Sequence, residues 1–299
     1  MRKILYDIEH VTSHDYVGFV SVSHLLMHLT PRKDERQRVL SHGILVEPAP
    51  SVSETHQDYF GNTAHFLTVD HDHSHLRITS RSRVAVGPAF VPDPSETPPW
   101  ETVRARCRSD HSGRSLEAHE FTYASPLVPI SSEFADYAKP SFEKERPVLD
   151  SVMDLTRRIN SEFKFDPTAT TVSTPVSEVI RHRRGVCQDF AHFQTACLRA
   201  LGIPARYVSG YLETEPPPGQ AKLRGVDASH AWISFFCPGM GWIDVDPTNN
   251  CFASMRHIRI GWGRDYSDIC PIRGVLVGGR DQRMHVSVDV MSSGTLEES

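Results

Sequence analysis

Between Arg184 and Asp246 the chain orders three chemically capable side chains in a way that few folds accommodate. Arg184-Gly185-Val186-Cys187-Gln188-Asp189-Phe190-Ala191 places a cysteine at the head of an apolar segment. Ser229-His230-Ala231-Trp232 opens a strand pattern with a histidine, and Gly241-Trp242-Ile243-Asp244-Val245-Asp246-Pro247-Thr248 ends the next on an aspartate. From Cys187 to Leu201 the residues Phe190, Ala191, Phe193, Ala196, Cys197, Leu198, Ala200 and Leu201 are apolar on nearly every side, which predicts a buried helix. Gly202 is placed to cap it in the left-handed conformation, and Pro204 forbids continuation. Residues 205–212, 231–236 and 241–245 then read as strands.

Cysteine, histidine and aspartate in this setting are the components of thiol-based acyl chemistry. A free thiol titrates near ~8.5, and a helix N-terminus or a neighbouring imidazolium lowers that value. Cys187 is therefore the candidate nucleophile, and Gly185 allows the close backbone approach that an oxyanion pocket at the Cys187 amide needs. An isolated cysteine is more often a small buried hydrophobe. The other five (Cys107, Cys197, Cys237, Cys251 and Cys270) lack a matching context and read as structural. His230 is the candidate base, and the hairpin at residues 236–241 returns the chain so that Asp246 can hold its ring. Asp244 competes for that role, because alternation puts Asp244 and Asp246 on one face. Asp189 either tunes the thiol or complements the helix dipole, and the second role is favoured. Arg264, Asp265, Tyr266 and Asp268 either line a cleft or pair internally.

Upstream the pattern is β. Short alternating runs at 6–11, 17–25, 39–46, 52–59, 64–69 and 76–86 are separated by Pro31, Pro48, Pro50 and Gly61-Asn62, which suggests an antiparallel sandwich or a strongly curved sheet. His71-Asp72-His73-Ser74-His75 could offer metal ligands at alternate positions, but a polar hairpin tip explains it better. Residues 88–147 concentrate prolines and read as a linker with short helices such as 131–138. From Pro147 the period becomes helical: Val148, Val152, Leu155, Ile159 and Phe163 share a face. A short helix follows near Val176, with Thr174 as its expected cap and Glu178 near the capping-box position. The proline-rich excursion at 213–220 is expected at the surface near the mouth of the site.

Composition narrows the remaining choices. A net charge of −5 over 299 residues offers no basic surface for nucleic acid. No apolar run has the length of a membrane span, and polar residues interrupt the first sixteen positions where a signal peptide would be apolar. Six scattered cysteines without a CxxC pair favour free thiols and a cytoplasmic location.

The motifs Gly185-Val186-Cys187-Gln188-Asp189-Phe190-Ala191, Ser229-His230-Ala231-Trp232 and Gly241–Thr248 resemble the transglutaminase-like superfamily, specifically its bacterial branch with a β-rich N-terminal domain. Leu29-Thr30-Pro31-Arg32, Asp58-Tyr59-Phe60-Gly61-Asn62 and Gly263-Arg264-Asp265-Tyr266-Ser267-Asp268 extend the resemblance over most of the chain outside about 90–145. One departure is Ser234, where many such relatives carry an acidic residue. The resemblance implies an α+β fold: an antiparallel, sandwich-like β domain at 1–90, a linker with crossing helices at 91–146, and a papain-like core with a C-terminal β segment at 147–299. It implies Cys187 as nucleophile, His230 as base and Asp246, rather than Asp244, as orienter. Gly185, Gln188, Trp232, Asp265 and Tyr266 are candidates for the oxyanion pocket and substrate lining. The expected activity is hydrolysis of an amide or peptide bond through a thioester, with a peptide or protein as substrate and neither cofactor nor metal. The alternatives are a protein-glutamine acyltransferase using an amine acceptor, and a non-catalytic binding module on the same scaffold.

Overall fold

The computed structural model describes residues 2–110, 113–214 and 229–297. The alternation that begins near Tyr6 does not break where two runs were expected; one strand, β1 (Arg2–Met27), covers both. Next come β2 (Gln37–Glu47), β3 (Val52–Gln57), β4 (Thr63–Val69) and β5 (His73–Val86). Residues 4–15 of β1 pair with β5 and residues 23–27 with β4, and the register shifts between Asp15 and Val20. Gly18 sits in that bend at φ +88, a conformation glycine adopts without penalty. The result is one strongly curved antiparallel sheet, ordered β2-β5-β1-β4-β3.

The proline-rich region holds α1 (Trp100–Ser109), α2 (Gly113–His119) and α3 (Ser132–Ala138). Pro147 immediately precedes α4 (Val148–Glu162), whose Val148, Val152, Leu155 and Ile159 are buried as the period predicts. A two-residue parallel pair, β6 (Lys164–Phe165) with β7 (Arg184–Gly185), brackets α5 (Val176–His182). Thr174 does not cap α5. Its hydroxyl accepts the Thr171 N–H at 2.9 Å, and Pro175 occupies the cap position. The buried helix is α6 (Cys187–Ala200), and Gly202 at φ +77 terminates it with the Gly202 N–H on the Arg199 carbonyl.

A second antiparallel sheet is formed by β8 (Ala205–Leu212), β9 (Ser229–Cys237), β10 (Gly241–Asp246), β11 (Cys251–Phe252) and β12 (His257–Gly263), in the order β11-β10-β9-β8-β12. One face carries Ala205, Tyr207, Ile233, Phe235 and Val245 into a single core with α3, α4 and α6. Burying each such large side chain contributes roughly 2 kcal/mol. That face holds the helices, and the opposite face is left to polar and aromatic residues, among them Arg206, His230, Trp232, Asp244, Asp246 and Trp262. Residues 215–220 of the proline-rich excursion lie outside the described residues.

The last strands depart from the expected unit at 147–299. β13 (Ile272–Gly278) and β14 (Gln282–Glu297) pair antiparallel with β1, along residues 20–27 and 2–16 respectively. They complete the first sheet, because β1 has a second edge along its whole length that the preceding strands leave unpaired. The two sheets are clasped at the turn 58–62. Asn62 donates to the Trp262 carbonyl at 2.8 Å and accepts the Trp262 N–H at 3.1 Å, while Arg32 donates to Asn62 and to the Phe60 carbonyl. Among the described residues no helix is long and apolar enough to cross a membrane.

Candidate active site

The entrance to α6 is set by Asp189, one turn inside the helix. Its carboxylate accepts the Val186 N–H at 2.7 Å and the Thr170 hydroxyl at 2.6 Å while only 2% exposed. Burial raises its pKa, against the lowering effect of those two hydrogen bonds. Asp189 is thus a structural cap that fixes where the helix starts, which puts Cys187 in the first turn with its thiol partly exposed. Gly185 serves the same cap: a Cβ on it would lie 2.5 Å from the Asp189 carboxylate. The structure gives that reason for the glycine in place of the expected oxyanion approach. Gly185→Ala should push the carboxylate off the Val186 N–H, costing about 2 kcal/mol and lowering Tm by roughly 4 °C. Thermal unfolding followed by circular dichroism checks this.

His230 lies at the start of β9, opposite Gly210 on β8. Its Nε2 is 2.7 Å from Asp246 Oδ2, and its side chain is 10% exposed. With Nε2 committed to Asp246, Nδ1 is the nitrogen left to face the Cys187 thiol, which also acts on the ring's pKa. Burial alone would lower the imidazole pKa, but the hydrogen bonds and charges of Asp246 and Cys187 outweigh it and raise the value to about 10.

Asp246 is fully buried and saturated with donors. Oδ1 accepts the N–H groups of Thr248 at 2.8 Å and Asn249 at 3.2 Å. Oδ2 accepts from His230, from Asn249 Nδ2 at 2.7 Å and from His257 Nε2 at 3.1 Å. Burial opposes ionisation, yet these bonds hold the carboxyl well below the usual carboxylate range. Asp244, which spacing could not separate from Asp246, is bound elsewhere: it accepts Trp232 Nε1 at 3.1 Å and pairs with Arg259.

His257, on β12, escaped the sequence reading. The Ser254 N–H is 3.1 Å from its Nδ1, and a backbone amide can only donate, so Nδ1 is the acceptor and Nε2 carries the proton given to Asp246. Burial lowers the His257 pKa despite Asp246, which keeps the ring neutral. Tyr207, on the helix face of β8, was also missed. Burial raises its pKa well above the ordinary value, and the charge of a Cys187 thiolate raises it further.

Four of the suggested lining residues do other work. Gln188 donates to the Val172 carbonyl at 3.2 Å and so fastens a loop. Trp232 is fully buried, stacked against His230 with centroids 6.1 Å apart, and supports the ring from behind. Asp265 is fully buried and accepts the Leu127 N–H at 2.8 Å and the Ser267 hydroxyl at 2.6 Å. Gly185 belongs to the helix cap. Tyr266 stays close to the site, packed at 6.4 Å against Tyr207 and accepting the Cys270 thiol at 3.3 Å. Arg264 and Asp268 form a two-point ion pair at 2.9 Å, so this pair of the polar cluster fastens the C-terminal segment internally.

The histidines at 71, 73 and 75 have separate attachments. His73 bonds Ser23 at 2.8 Å and His75 bonds Asp15 at 2.8 Å; only residues 70–72 form the tip between β4 and β5, and His73 and His75 already belong to β5. Among the described residues, His230, Asp246 and His257 do place three ligand-type atoms within 4.8 Å of one another. The hydrogen bonds above account for that convergence. Burial pushes the thiols of Cys107, Cys237 and Cys251 up to about 11 and raises that of Cys197 further. Among the described residues no histidine pairs with any of those four thiols.

Residues 135–247 match the family model described as transglutaminase-like superfamily, and residues 6–85 match the bacterial transglutaminase-like N-terminal region. The chain is 40% identical to Mycobacterium tuberculosis protein Rv2569c over 96% of its own length and 92% of the relative's. Over 32% of its length it is 37% identical to a protein-glutamine gamma-glutamyltransferase of Pseudomonas aeruginosa, of which that match covers 15%. The fold is similar to a crystal structure described as a "Putative Cysteine Protease" from Cytophaga hutchinsonii, with TM-score 0.78, 21% identity, and coverage of 98% of this chain and 93% of that one.

Proposed function

Since the chain belongs to the transglutaminase-like superfamily, we propose that it is a cysteine-dependent hydrolase of amide or peptide bonds in a peptide or protein substrate. The observation that carries this reading is the buried pairing of His230 with a donor-saturated Asp246 at 2.7 Å, with Cys187 near enough to help raise the His230 pKa. Cys187 Sγ attacks the carbonyl carbon as thiolate, forming the C–S bond and an oxyanion. The oxyanion lies within reach of the N-terminal amides of α6, where the helix dipole favours negative charge. Collapse breaks the C–N bond, and His230 delivers its Nδ1 proton to the leaving amine. The neutral ring then takes a proton from water, which attacks the thioester carbon. Breaking the C–S bond releases a carboxylic acid and restores the thiolate and imidazolium. His257 and Asn249 act through Asp246, holding its carboxylate in the plane that orients His230.

Amine in place of water would make the same thioester an acyl-transfer intermediate, as the name of the Pseudomonas relative describes for that protein. The acceptor is measurable directly. A glutamine-containing peptide library is incubated with and without a fluorescent primary amine, and acid formation and amine incorporation are scored by mass spectrometry. Hydrolysis predicts acid product that Cys187→Ala abolishes and that the amine does not suppress. Dominant incorporation of the amine replaces the hydrolase reading with transfer, and no product of either kind under any condition leaves the scaffold as a binding module.

A further inference from the structure

A cavity lies on the polar face of the second sheet, against residues 34–36 and 89–90. It has a volume of about 600 Å³ and is walled by Trp242, Trp262 and Phe90, with Arg206, Arg259 and Asp244 at its floor. Glu35, Arg114 and Phe90 are exposed at its rim, so it opens to solvent. Arg206 is the unusual member. Its guanidinium is stacked 4.2 Å from the Trp242 ring and 3.7 Å from the Trp262 ring, and the residue is 5% exposed. Arg32 covers the Trp262 indole as well, at 3.5 Å.

Buried guanidinium groups are ordinarily matched by carboxylates, because an unpaired buried charge is costly. Here the two less exposed carboxylates of the lining are already engaged, and the other two, Glu35 and Glu117, are exposed at the rim. Asp34 and Asp244 both pair with Arg259. Arg36 donates to the His257 carbonyl. Arg206 Nε is buried without a hydrogen-bond partner, and among the described residues no carboxylate forms an ion pair with Arg206. Its cross-strand neighbour on β9 is Ser234, which is neutral; the same serine stands opposite Asp244 on β10. Burial, first, and the charges of Arg259 and Arg32 oppose the Arg206 cation, while Asp244 and Asp34 favour it.

We infer that this cavity binds a small organic carboxylate, with Arg206 as its anchor. The chemistry follows from what the two indoles leave free. Both indoles stack against the guanidinium and Nε is buried without a partner, so a ligand would be held by the pair of Nη groups, a planar fork that fits a carboxylate bidentately. The aromatic walls suit an apolar or aromatic body attached to that group. The carboxylate can come from a free metabolite or from a peptide C-terminus, and the shared chemistry is the same. The site is separate from Cys187 and does not depend on the proposed hydrolase activity.

The test uses the full chain carrying Cys187→Ala, so that turnover plays no part. Benzoate, acetate and a short peptide ending in phenylalanine, as free acid and as amide, are titrated at constant ionic strength set with chloride. Quenching of tryptophan fluorescence and calorimetry report binding. Benzoate should bind at least ten-fold more tightly than acetate, and binding should be lost in Arg206→Met and weakened at least ten-fold in Arg206→Lys. Ser234→Glu places a carboxylate opposite Arg206 and should raise Tm while abolishing benzoate binding. It therefore decides the matter even where Arg206→Met fails to fold. Tighter binding of the free-acid peptide than of benzoate identifies a chain terminus as the source, and the reverse identifies a free metabolite. Absence of saturable binding by the parent protein, or benzoate binding that survives Ser234→Glu unchanged, overturns the proposal.

Discussion

At about pH 6, iodoacetamide is expected to alkylate Cys187 at least ten-fold faster than Cys251 or Cys270, the other partly exposed thiols. An ordinary thiol titrating near ~8.5 is only about 0.3% ionised at that pH. The His230 ring beside the sulfur has its pKa raised to about 10, so it is cationic across the neutral range. A cation at the sulfur and a helix N-terminus are the two environments in which thiols become reactive early. His230→Ala removes the cation and should slow Cys187 alkylation by roughly two orders of magnitude, toward the rate of a free thiol. Peptide mapping after timed labelling reads both numbers. Equal labelling of Cys187, Cys251 and Cys270 in the native protein would remove the thiol chemistry from consideration.

Asp246→Ala should be the most damaging single change in the site, because five donors face that carboxylate. Removing the acceptor leaves the His230 and His257 imidazoles, the Asn249 side-chain amide and two backbone N–H groups without that partner, at about 3–5 kcal/mol and roughly 10 °C in Tm. Asp246→Asn keeps the shape but turns an NH2 group toward existing donors. It should lose about a thousand-fold or more in kcat/KM with a smaller loss of Tm. The pH dependence separates the charge from the packing. The His230 pKa is raised on folding, so its contribution is complete below about 6.5 and is lost as pH rises through about 10. Asp246 is shifted down, so its contribution is present above about 4 and is lost as acid titrates the folded carboxyl. The stability difference between parent and Asp246→Asn should therefore be a plateau over the neutral range that closes at both ends. A difference independent of pH would mean that Asp246 acts by shape alone.

Local rules made the core of the site legible before any coordinates. The start of α6 beside Cys187 and its end at Gly202 depend on capping and on a glycine φ, both encoded within a few residues. The His230 and Asp246 strands followed from alternation and a hairpin. Alternation could not decide between Asp244 and Asp246, since a period of two treats them alike. What separates them is which neighbour each meets, Arg259 for the first and His230 for the second. His257 was invisible for the same reason: it reaches Asp246 from β12, at the far edge of the sheet from β10. Trp232 and Asp265 were misread because a polar or aromatic motif residue looks the same in sequence whether it faces a cleft or is sealed beneath it. The pairing of β13 and β14 with β1 joins residues more than 240 positions apart, which no local pattern records.

That pairing bears on how the protein can be made. β1 emerges from the ribosome first, and its partners β13 and β14 emerge more than two hundred residues later. Until then a 26-residue strand presents one edge unpaired, the kind of surface through which nascent chains stick to one another. Synthesis halted before residue 272 would thus leave the first sheet unsealed along β1. Recombinant fragments cut at that boundary should be recovered as aggregates, whereas the chain that includes β13 and β14 keeps the seam closed.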